Sequence, residues 1–88
     1  MTKIYIYCLF DHGDVFKGVY SSLQAVHRDA IKLANKGRGS VWMETHATNR
    51  IVPSLTTLRN TLKGQCDVQV RYISEPYVIK IIKTKLKE

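Results

Sequence analysis

The chain opens on a run that is apolar on both sides. Across residues 3–10, Ile4, Ile6, Cys8 and Phe10 fall on one face of an extended chain and Tyr5, Tyr7 and Leu9 on the other. Aromatic and β-branched residues dominate it, which predicts a strand, and apolar content on both faces places that strand centrally. Asp11-His12-Gly13-Asp14 is a polar turn, with Gly13 free to take a positive φ. Residues 15–20 then form a second strand, antiparallel to the first, in which Gly18 marks a bulge or a close approach.

The period changes after Ser21 and Ser22, which offer an N-cap. Leu23, Val26, Ala30 and Leu33 follow helical spacing and make one buried stripe, while Gln24, Arg28, Lys32 and Lys36 line another face. This predicts a helix to about Asn35, closed by Asn35-Lys36-Gly37, with cations in its last turn as the helix dipole favours. Gly37-Arg38-Gly39-Ser40 reads as a flexible basic loop. A third strand is expected over residues 41–46, with Val41 and Met43 opposite Trp42 and Glu44, and residues 47–53 are turn-like.

Ser54 caps a second helix carrying Leu55, Leu58 and Leu62, and Gly64 stops it. Residues 66–73 alternate, with Cys66, Val68, Val70 and Tyr72 inward and Asp67, Gln69 and Arg71 outward. Glu75-Pro76 breaks that strand. The β-branched content of residues 77–83 favours a last strand over a terminal helix, and residues 84–88 read as a frayed basic tail.

The order is ββαβαβ(β). Two helices cannot cover both faces of a mainly antiparallel sheet of four to five strands, so both are expected on one face of a two-layer α+β sandwich. Residues 1–83 make a single domain, as the length suggests, and 84–88 the tail. The other sheet face is then partly open. Tyr5 and Tyr7 stand on it if the Ile4, Ile6 and Cys8 set faces the helices.

Charge changes this picture. Fourteen Lys and Arg stand against seven Asp and Glu, a net charge of +7. Residues 1–44 hold six basic and four acidic groups, whereas residues 45–88 hold eight and three, so the excess is uneven. A solvated surface would account for some of it, but a polyanionic partner is the commoner reason for such an excess. Arg28, Lys32 and Lys36 form a ridge with one cation about every 6 Å, and Arg59 and Lys63 repeat the spacing. Arg38 lies among glycines that allow close approach to a phosphate, and Lys80, Lys83, Lys85 and Lys87 crowd the end. These ten are the candidate nucleic-acid-binding residues. Tyr5, Tyr7 and Trp42 are candidates for stacking unpaired bases, as aromatics beside cations do in single-strand RNA binders, although strand aromatics are more often core.

Catalytic and metal signals are weak. His12 between Asp11 and Asp14 is the one arrangement that suggests a general base or a cation site, and turns are rich in such residues anyway. His27 reads as a helix-boundary residue, and His46 has no visible partner. Cys8 and Cys66 sit in apolar runs with no C-x-x-C spacing, which suggests reduced buried thiols in a cytoplasmic protein, or one disulfide if their strands are neighbours. No Walker loop, G-x-S-x-G, H-E-x-x-H or RNP-type motif occurs. No catalytic residue, metal or cofactor is therefore expected. The longest apolar run, residues 77–82, is broken by Lys80 and is too short for a membrane span, so no membrane partner is expected.

Tyr5-Ile-Tyr-Cys-Leu-Phe, followed by Gly18-Val-Tyr-Ser-Ser-Leu-Gln-Ala-Val, resembles the opening of many small accessory and anti-defence proteins of tailed bacteriophages. The likeness covers about the first 40 residues. In size and charge the chain is similar to the toxin inhibitory factor of T-even phages. That resemblance implies an inhibitor of a host toxin–antitoxin endoribonuclease, acting through RNA in the host cytoplasm.

The expected function is therefore nucleic-acid binding, with RNA as the partner and a host nuclease or toxin as the setting. The alternative is a protein–protein inhibitor that docks its basic face on an acidic host enzyme, and a third reading is a minimal nuclease using Asp11, His12 and Asp14. The sequence leaves the oligomeric state open, a dimer included.

Overall fold

Strand-forming runs pair here mostly with partners far away in the chain. The computed structural model describes residues 4–45, 50–63 and 68–86. Its elements are β1 (Tyr5–Asp11), β2 (Val15–Tyr20), α1 (Leu23–Ala34), β3 (Trp42–Glu44), β4 (Arg50–Ile51), α2 (Leu55–Leu62), β5 (Gln69–Ser74) and β6 (Tyr77–Lys85). The six strands form one antiparallel sheet in the order β2-β1-β6-β5-β3-β4.

The strand nearest the C-terminus sits in the middle of this sheet. That corrects the expected tail: Ile6 pairs with Thr84 and Tyr5 with Lys85, so residues 84 and 85 complete β6. The apolar run of β1 suits a strand with a neighbour on each side, and β6 supplies the second one. The β1–β2 register shifts between Leu9 and Phe10, where Gly18 and Phe16 face them, which places a bulge beside Gly18. β4 is an additional strand within the stretch expected to be turn. Two residues are too few to show alternation. Cys66, Gly64 and His46 lie outside the described residues.

Helix α1 starts at Ser22, whose Oγ accepts from the Ala25 amide at 3.2 Å, and α2 starts at Ser54, whose Oγ accepts from Thr57 at 3.3 Å. Both helices lie over one face, giving the expected two-layer α+β sandwich. The twelve residues of α1 span about 18 Å, close to the roughly 19 Å of four strand spacings between β2 and β3. One helix of this length carries the chain across the sheet. Its contact row is Val26, Ala30 and Ala34, all fully buried, with Leu23 and Leu33 half-buried beside it. Small alanines let the helix sit close to Leu9, Val70, Ile79 and Ile81 of the sheet. Leu58 and Leu62 bring α2 into the same core.

Tyr72 anchors α1 from below. It is fully buried, and burial pushes its phenol up, so it stays protonated. Its hydroxyl lies 2.6 Å from His27 Nδ1, and a neutral ring with its proton on Nε2 accepts that hydrogen bond. Burial also holds His27 below its ordinary value of 6.5. A depressed folded-state value means this contribution to stability is complete above 6.5 and is lost as pH falls through the folded value. Thermal melts from about pH 7.5 down to about pH 5 should therefore show Tm falling on the acid side, with a shallower slope in His27→Gln. Asp29, held low by the Tyr20 hydroxyl, acts only as pH nears its ordinary 3.8.

Candidate nucleic-acid interface

Because Val26, Ala30 and Ala34 face the sheet, Arg28, Lys32 and Lys36 must face outward, and all three are exposed. The ridge is partly neutralised. Arg28 Nε lies 3.4 Å from Asp29 Oδ1, and Lys36 Nζ lies 3.9 Å from Asp11 Oδ2. Asp29 is tied first to Tyr20, whose hydroxyl donates to Oδ2 at 2.6 Å, and then to Arg28. Lys32 has no carboxylate within ion-pair distance among the described residues.

Arg59 and Lys63 are exposed on α2 and stand at one end of the helix layer. There, Tyr7, Leu23, Arg59, Leu62, Lys63 and Lys83 line an open cleft of about 190 Å³. Lys83 is held in the fold rather than free in solvent. It is only 7% exposed, its Nζ donates to the Leu62 carbonyl at 2.7 Å, and the same ammonium lies 4.4 Å from the Tyr5 ring centroid. Leu62 ends α2, and its carbonyl has no helical partner, so Lys83 serves as the cap. Lys83→Met is expected to cost about 1–3 kcal/mol in urea unfolding, because the carbonyl then stays unpaired.

Tyr5 and Tyr7 are not on the open sheet face. Leu9 is buried under the helices, and alternation carries Tyr7 and Tyr5 to the same side. They meet Lys83 and Lys85 across the β1–β6 ladder. The structure thus brings Tyr5, Tyr7, Arg59, Lys63, Lys83 and Lys85 to one end of the helix side. Trp42 is 40% exposed on the opposite face, paired with Ile73. The three aromatics proposed for stacking do not share a surface.

Arg38 is also elsewhere. Its amide donates to the Glu75 carbonyl at 2.8 Å, and its carbonyl accepts from Ser74 Oγ at 3.4 Å. The loop expected to be flexible is fastened to the β5–β6 turn, while the Arg38 residue remains exposed. Lys80 points to the open face and pairs with Asp14 at 2.5 Å. Lys87 lies outside the described residues.

Cross-strand register gives the open face a set of residues that the sequence did not reveal. Phe16, Phe10, Lys80, Arg71, Glu44 and Arg50 form one row across the sheet. Its cations are matched. Glu44 pairs with Arg71 at 2.5 Å and Arg50 at 3.7 Å, Arg50 also reaches Glu75 at 4.0 Å, and Asp14 takes Lys80. Phe10 and Phe16 pack edge to face at 5.6 Å, and Ile4, Phe16 and Val19 are each more than half exposed. Cys8 is a free, half-buried thiol on this side. Among the described residues, Lys80, Arg71 and Arg50 on the open face are paired with carboxylates, whereas Lys32, Arg59, Lys63 and Lys85 on the helix side are not.

The Asp11-His12-Asp14 turn serves structure. Asp11 accepts from the His12 amide at 2.7 Å, His12 Nδ1 accepts from the Val78 amide at 3.2 Å, and Asp14 holds Lys80. Among the described residues no group of three His, Cys, Asp or Glu is placed to hold a metal ion, and no helix is long and apolar enough to cross a membrane. No family model, curated protein or solved structure matches this chain.

Proposed function

We propose that this chain is a small nucleic-acid-binding protein that takes RNA on its helix side. One observation carries the reading. Lys32, Arg59, Lys63 and Lys85 have no carboxylate within ion-pair distance among the described residues, and all belong to the helix side, whereas Lys80, Arg71 and Arg50 on the open face are paired. Unpaired cations keep their full attraction for phosphate, and each phosphate neutralised releases counterions. Tyr5 and Tyr7 lie at the same end as Arg59, Lys63 and Lys85, as an aromatic surface for an unpaired base would require.

The likeness to phage accessory proteins suggests the biological setting: RNA held away from a host toxin or defence nuclease. The test is the mobility of labelled single-stranded RNA at increasing salt. Binding at low salt that weakens linearly on a log–log plot is expected. Absence of binding at low salt, or indifference to salt, would remove the proposal. The same basic side also suits an acidic host enzyme. A partner retained from lysate after nuclease treatment would favour that second reading.

A further inference from the structure

We infer that the cleft at the α2 end of the helix side is a receptor for a single phosphate group. This deepens the RNA reading and rests on it. The cleft of about 190 Å³ is smaller than the roughly 300–1,000 Å³ of sites that enclose whole ligands, so it suits one compact group. Lys83, 7% exposed, lines it together with the exposed Arg59 and Lys63. None of these three cations has a carboxylate within ion-pair distance among the described residues. Three like charges around one concavity repel one another, and an anion between them relieves that repulsion.

Each wall has a part. The Arg59 guanidinium can present two parallel N–H groups to two phosphate oxygens, a geometry that suits phosphate better than a point charge does. Leu23 and Leu62 supply the apolar part of the wall. The carbonyl end of α2 would by itself repel an anion. Lys83 answers this directly by donating to the Leu62 carbonyl at 2.7 Å, and an ammonium has three N–H groups, more than that one bond uses. Tyr7 adds a phenol to the lining. A phosphate seated here could be the terminal monoester of an RNA or an internal diester. The monoester carries more charge and has a free end that can enter a cleft.

The test uses the full chain and three RNAs of one sequence, ending in a 5′-phosphate, a 3′-phosphate or hydroxyls only, titrated by fluorescence anisotropy. A phosphorylated end is expected to bind at least about tenfold more tightly than hydroxyl ends. Arg59→Gln with Lys63→Gln should abolish that preference. Both residues are exposed, so the fold is not at risk, and Lys83 is spared because it caps α2. Equal affinity for all three RNAs, with an equal loss in the double variant, is what diffuse attraction to these cations gives, and it overturns the receptor while leaving RNA binding standing. Equal affinity with no loss in the double variant overturns the receptor and leaves RNA binding standing. If no RNA binds, the RNA reading fails and inorganic phosphate decides. Saturating shifts in the amide resonances of residues 59–63, lost in the double variant, support the receptor, and unmoved resonances overturn it.

Discussion

Gly37→Ala is expected to lose about 3 kcal/mol of stability, which in a domain this small lowers Tm by roughly 15 °C. A Cβ at this position would collide with the Ser74 carbonyl oxygen and lie 2.5 Å from Ser74 Oγ and 2.7 Å from the Ser74 carbonyl carbon. Two of those atoms are backbone at the end of a paired strand, and Ser74 is 1% exposed. Neither side can yield easily. The loop has no slack, since Gly37 donates to the Ala34 carbonyl at 3.0 Å and Arg38 to Glu75 at 2.8 Å. The cause is space rather than backbone conformation. Gly39 supplies the contrast, with φ at +78° and nothing within 4 Å of an added Cβ. Gly39→Ala should cost only about 1 kcal/mol. A Gly37→Ala melt close to that of Gly39→Ala would mean that the loop does not rest on the β5–β6 turn.

Reversing Arg28, Lys32, Arg59 and Lys63 to Glu should lower RNA affinity by about 100-fold or more at low salt. The slope of log affinity against log salt should shrink by nearly 3, at about 0.7 for each single-strand phosphate that is no longer neutralised. All four are exposed, so each reversal should change stability by about 0.5 kcal/mol or less. A control is needed because net charge alone weakens binding. Lys17 is exposed on the edge strand β2, far along the sheet from β3 and β4, and Lys17→Glu changes net charge as much as Lys63→Glu does. If the two weaken binding equally, total charge is responsible and the helix side has no special role. If the four reversals unfold the protein, the assignment of outward faces is wrong.

Much of the fold could be read along the chain because local spacing carries the information. Ser22 and Ser54 cap where expected, the α1 stripe faces the sheet, and Val70 and Tyr72 point inward. Other features depended on distant partners. The two faces of β1 are both apolar, so alternation could separate Tyr5 and Tyr7 from Ile6 and Cys8 without saying which pair meets the helices. Leu9, packed against Ile81 and the helices, decides it. Nothing near Lys83 in sequence marks it as a cap, because the carbonyl it satisfies belongs to Leu62. The Arg71–Glu44–Arg50 network is invisible for the same reason, since three strands must align to form it.

Side-chain periodicity and composition were enough to establish the α+β class, both helices and their serine N-caps, most of the strands, and the excess of cations over carboxylates. Each of these depends on neighbours within a few residues along the chain. Where the charge is felt depended instead on how the elements come together. Register placed Glu44 beside Arg71 and Arg50, and Asp14 beside Lys80, so the open face is largely neutralised. Packing α2 against the sheet gathered Arg59, Lys63 and Lys83 around one cleft. Coulombic attraction depends on distance through space, and distance through space is set by the pairing of strands that lie far apart in the chain.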